Sequence, residues 1–176
     1  MTRPRKIAAA VATAASATML ALPGAAGAAH AGEHNFEQTY PVASKLCAEI
    51  AKGAGPKRLR SSAAAVLADC TVLENNFNAD RTAIVATEVA IANAVATDNL
   101  ARKTVCTSTP AHPLRCATAR KKTQRLHRRL ARQKLFAARA YWRMVEANRA
   151  AFWDEIRALP GGKGIAPDKP IAEQNN

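Results

Sequence analysis

The chain has 176 residues, with 26 Lys and Arg against 13 Asp and Glu, giving a formal net charge of +13. Only 5% of it is aromatic, with 8 Gly and 9 Pro, and alanine is abundant, a balance that favours helices joined by a few marked loops and excludes an all-β architecture. A length of this order makes one domain.

Residues 1–31 read as a secretory signal peptide. Arg3, Arg5 and Lys6 precede an apolar run from Ile7 to Leu22, Pro23-Gly24 breaks it, and Ala29-His30-Ala31 fits an A-x-A cleavage site. Ala26-Gly27-Ala28 is a second such site, so the mature start is expected at Ala29 or Gly32. The alternative is a membrane anchor through an uncleaved signal, but the apolar run is shorter than the roughly twenty residues a spanning helix needs. The expected localisation is therefore secreted or extracytoplasmic, where four cysteines pair.

Residues 32–159 read as a single helical domain. A first helix is expected over about 36–52, with Val42, Leu46, Glu49 and Ile50 at helical spacing, and Gly53-Ala54-Gly55-Pro56 ends it. Ser61-Ser62 offers an N-cap for a run over about 61–105 that holds no Gly or Pro. Asn75, Asn76 and Asn78 would divide that run in a four-helix bundle, the alternative architecture. Periodicity favours one helix, because Cys70, Phe77, Ile84 and Ile91 stand seven apart, with Val66 and Leu73 between them in phase.

A turn over 108–113 carries Pro110 and Pro113, and a second long run follows over about 114–159. Folding one run on the other about Ala111 makes position n face position 222 − n, so Val66 meets Ile156, Cys70 meets Phe152, Phe77 meets Val145 and Ile84 meets Ala138. The expected fold is all-α, a long antiparallel helical hairpin with the short first helix packed on its open end. There Tyr141, Trp142, Phe152 and Trp153 need partners beyond a two-helix seam. Near the turn the hairpin would project as a thinner basic arm. Residues 160–176, with Pro167 and Pro170 and no apolar pattern, read as a disordered tail.

Cys106 and Cys116 are symmetric about the turn and Cys47 and Cys70 about the first loop, so both pairs are expected as disulfides that clamp the hairpin. A zinc site is disfavoured because no Cys-x-x-Cys pair is present. The histidines His30, His34, His112 and His127 make no metal-ligand spacing, and no metal or other cofactor is expected.

Charge is concentrated in one segment. Between Asn99 and Val145 lie thirteen basic residues and no acidic one. At 100° per residue, Lys121, Arg125, Arg128, Arg129, Arg132, Arg139 and Arg143 share one sector of the last helix, opposite Leu126, Leu130, Ala137, Tyr141 and Met144. Phe136 also falls inside the basic sector. Arginine forks suit phosphate and carboxylate, so the expected partner is an anionic cell-envelope polymer or a membrane surface, with nucleic acid set aside for an exported chain.

No catalytic motif is found. No serine stands in a G-x-S-x-G setting, Asp154 and Glu155 point about 100° apart on a helix, and Gly161-Gly162-Lys163-Gly164 lacks the strand and hydroxyl of a phosphate loop. The sequence reads as a secreted helical binding or structural protein rather than an enzyme. The alternative is an extracellular carrier holding a small apolar ligand among Tyr141, Trp142, Phe152 and Trp153.

Overall fold

The computed structural model describes residues 34–108 and 112–170. The signal-peptide and cleavage expectations, most of the turn at 109–111 and the end of the tail at 171–176 lie outside the described residues. Helices α1 (Phe36–Thr39) and α2 (Pro41–Ala51) lead through a 3-10 turn (Lys57–Ser62) into α3 (Ala63–Thr107), which pairs with α4 (Pro113–Ala158). With 45 and 46 residues, the two long helices are each about 68 Å at 1.5 Å per residue. The asparagines at 75, 76 and 78 lie inside α3 without breaking it, so the hairpin stands and the four-helix alternative does not. Among the described residues, no helix is long and apolar enough to cross a membrane.

The first helix differs in detail from its expectation. It breaks at Tyr40 (φ −130°, ψ 65°) because Pro41 opens α2, and a proline ring keeps the preceding residue out of the helical region. α1 is closed by a capping box in which Gln38 N–H donates to Asn35 Oδ1 at 2.8 Å and Asn35 N–H donates to Gln38 Oε1 at 2.9 Å. α2 ends as its glycine predicts. Gly53 takes φ 70°, its N–H donates to Ile50 O and that of Ala54 to Glu49 O, satisfying the last carbonyls.

The core is built where three layers meet. Tyr40, Ala43, Leu46 and Ile50 from the short helices pack on Val66, Leu73 and Phe77 of α3 and on Val145, Phe152, Trp153 and Ile156 of α4. Phe36, Tyr40 and Phe77 meet edge to face with ring centroids 5.5–5.9 Å apart. The core ends near Ile84. Both disulfides form as the spacing predicts, Cys47 to Cys70 with Cα atoms 5.9 Å apart and Cys106 to Cys116 at 4.7 Å. The second bridge, the Lys134–Glu88 ion pair and the Ser62 to Pro160 hydrogen bond all obey the rule that n faces 222 − n.

Two expectations at the open end are corrected. Ser62 makes no helix cap and instead donates its hydroxyl to Pro160 O at 3.3 Å. The tail is not free over 160–170. Asp168, 1% exposed, accepts from Val42 N–H at 2.6 Å, Ala43 N–H at 3.1 Å and Trp153 Nε1–H at 3.2 Å. A carboxylate from the far end of the chain thus caps α2, whose Pro41 leaves its first turn without a local side-chain cap. Gly161 (φ 80°) permits the approach, since a Cβ there would lie 1.9 Å from Arg58 O.

Candidate anion-binding surface

Beyond Ile84 the hairpin changes character. Of the apolar residues of this part of α3, Val85, Val89, Leu100 and Val105 are 38–65% exposed while Ile91 and Val95 are half-buried, and the seam between the helices also carries polar groups. Glu88, 8% exposed, stands 3.6 Å from Lys134 Nζ, and Asp98 Oδ2 stands 3.5 Å from His127 Nε2. Thr123 and Leu130 are the buried contributions of α4 to this stretch. The arm is therefore tied by the Lys134–Glu88 ion pair, by the Asp98–His127 contact and by a disulfide near its tip.

This arrangement decides where the charge goes. Glu88 and Asp98 are the only carboxylates between Ala83 and Val145, and both turn inward onto α4. Lys121, Arg125, Arg128, Arg129, Arg132, Arg139 and Arg143 are all exposed, and none forms an ion pair among the described residues. Two of them fold back on their own helix, Arg132 Nε–H donating to Arg128 O at 3.4 Å and Arg143 Nε–H to Arg139 O at 3.3 Å. Leu135 and Phe136, 49% and 61% exposed, stand among these cations. Met144, counted with the apolar face, is 45% exposed and sits at its edge.

Three further cations escaped the sector count because they do not lie on the outer stripe. Arg102, Lys103 and Arg120 line a cavity of about 450 Å³ beside Cys106, and a second of about 520 Å³ adjoins it, sharing Asn99, Arg102 and Arg120 and reaching His127 and Arg128. Arg102 stands one helical turn before Cys106 and Arg120 one turn after Cys116. The register rule makes them face each other, so the signal was present in the sequence. Arg102 Nε and, across the groove, His127 Nε2 are buried without a hydrogen-bond partner, as is Asp98 Oδ2 behind them.

The aromatic cluster has a different use. Tyr141, Phe152 and Trp153 are buried in the core, with Phe152 against Trp153 and Tyr141 against Trp142 at 5.0 Å between ring centroids. Trp142 is half-buried and meets His34 edge to face at 5.7 Å. Burial pushes the Tyr141 phenol above its ordinary pKa, against the lowering effect of Arg81. Among the described residues, no group of His, Cys, Asp and Glu has the arrangement of a metal site. Comparison with known protein families, with curated proteins and with solved structures finds no match for this chain.

Proposed function

We propose that this is an exported, disulfide-clamped helical binding protein whose basic arm seats on an anionic surface of the cell envelope. The observation that carries the reading is the inward turn of Glu88 and Asp98 onto Lys134 and His127, which leaves the outer cations of α4 uncompensated. Uncompensated arginines on one face raise the local concentration of anions and steer encounter with them. The two bridges, which use all four cysteines, support maturation in an oxidising, extracytoplasmic compartment. The order of charges, apolar run and small residues in 1–31 supports export through a cleaved signal.

Leu135 and Phe136 within the stripe favour a surface that accepts apolar side chains, and an anionic bilayer is one. The test is co-sedimentation of the mature protein with phosphatidylglycerol vesicles. Binding is expected to fall steeply between low and moderate salt, and to drop about tenfold or more when Lys121, Arg125, Arg129 and Arg132 are changed together to Gln. Binding that ignores both salt and these substitutions would refute the reading.

A further inference from the structure

The groove beside the Cys106–Cys116 bridge presents an electrostatic problem that the outer stripe does not. The bridge holds its Cα atoms 4.7 Å apart, and Arg102 and Arg120, each one turn from it, are thereby fixed opposite one another on the walls of one groove. Lys103 lines one end and Arg128 the other, and no carboxylate lines either cavity. Asp98, one turn from Arg102 along α3, is set against His127. Like charges facing across a helix pair disfavour it. The buried Nε–H of Arg102 adds an unmet donor, which disfavours it further.

We propose that this groove is a binding site for a linear phosphodiester polymer, one phosphate lying between Arg102 and Arg120. The proposal deepens the reading of the arm as an anion-binding surface by giving it a discrete site and a ligand chemistry. An anion at the waist converts the repulsion into attraction and supplies an acceptor at the unmet donor. A phosphate diester suits two opposed forks, because its non-ester oxygens are free to meet one guanidinium on each wall while its ester links run along the groove. The waist is shared by two adjoining cavities of about 450 and 520 Å³, so the chain continues both ways, towards Lys103 and towards Arg128. A single lipid headgroup would use the waist alone. The lining residues include no Phe, Tyr or Trp and a single imidazole, that of His127, which is set against Asp98, so the groove recognises phosphates and offers little surface on which a base would stack.

The experiment titrates the mature, oxidised protein with an oligomer of poly(glycerol phosphate), with polyglutamate of equal charge and with phosphatidylglycerol vesicles. Two double variants, Arg102→Gln with Arg120→Gln and Arg125→Gln with Arg129→Gln, remove the same charge from groove and stripe. Saturable one-to-one binding of the glycerol phosphate oligomer is expected, weakened about tenfold or more by the groove pair and about threefold or less by the stripe pair. Without ligand, the groove pair is expected to raise the thermal midpoint, because it removes the repulsion. That readout also shows that the variant folds. Equal weakening by both pairs would overturn the groove while leaving the anionic-surface reading intact. Polyglutamate bound as tightly and as dependently on Arg102 and Arg120 would overturn the phosphate assignment, as would groove-dependent binding to vesicles alone. Loss of all binding in the parent protein would remove both.

Discussion

The two ends of the hairpin are built from the same two helices but held by different forces. At the open end α2 adds a third layer, and apolar side chains from Tyr40 to Ile156 close a core in which Phe77, Val145 and Trp153 are almost wholly buried. Near the turn nothing covers the pair among the described residues. Its seam adds Glu88 with Lys134 and Asp98 with His127 to a thinner set of apolar contacts, and has the Cys106–Cys116 bridge in place of a third helix. The contrast teaches that stability and recognition have been separated along one pair of helices. A body closed by burial tolerates little charge, whereas an arm held by a covalent tie and polar contacts across its seam can carry a dense array of it.

The sharpest way to break the comparison is to attack the body at its least apolar point. Asp168 accepts two backbone N–H groups of α2 and the indole N–H of Trp153 while buried. Asp168→Ala would leave three donors, two of them buried, without an acceptor, and a loss of about 3–5 kcal/mol is expected, read by urea denaturation. Asp168→Asn keeps one acceptor oxygen and should lose less. A change below about 1 kcal/mol for Asp168→Ala would mean that the third layer does not depend on the tail.

The bridges sharpen the comparison at the next level. Cys47 and Cys70 close 23 residues and join two layers of the body; Cys106 and Cys116 close 10 residues at the arm. Replacing the first pair by Ser should lower global stability by about 2–4 kcal/mol. Replacing the second should move the global midpoint less, by about 2 kcal/mol or under, while amide exchange in residues flanking the bridge speeds about tenfold or more, because few apolar contacts oppose local opening there. Faster exchange confined to the body in the second variant would invert the assignment of forces.

Much of this division was legible in the residue pattern. The seven-residue spacing of Cys70, Phe77 and Ile84 continued through three asparagines because tertiary contact outweighs their weak helix propensity, and cysteine symmetry located the turn. The break between α1 and α2 lies in Pro41, which the helical spacing of Val42, Leu46, Glu49 and Ile50 does not register, because that spacing begins only after it. Asp168 was beyond reach, since a contact 125 residues away in sequence leaves no local trace and a proline-bearing tail reads as unfoldable until its capping role is visible. Arg102 and Arg120 were hidden for a different reason. Counting sectors on one helix finds the outer stripe, whereas a groove between two helices is found only by combining their faces through the register.

The smallest effects test how far the body's packing reaches. Tyr40 is fully buried and donates its hydroxyl to Val145 O at 3.0 Å, whereas Tyr141 is 3% exposed and its hydroxyl has no partner. Tyr40→Phe should cost about 1 kcal/mol, and Tyr141→Phe about zero, because only the first gives up a hydrogen bond. Alkali separates them further. Burial above all, with the phenol of Tyr141 and the carboxylates of Asp80, Glu146 and Asp168 behind it, pushes the Tyr40 phenol well above its ordinary value. The sign follows from the proton count. The folded state keeps the Tyr40 proton at a pH where the unfolded chain has released it, so this contribution to stability is whole below pH of about 10 and declines as pH rises beyond. Tyr40→Phe should therefore be the less stable protein at neutral pH and lose stability less steeply between about pH 10 and 12. Parallel decline of parent and variant across that range would show that the Tyr40 hydroxyl is not sealed in the core, and the boundary drawn between body and arm would have to move.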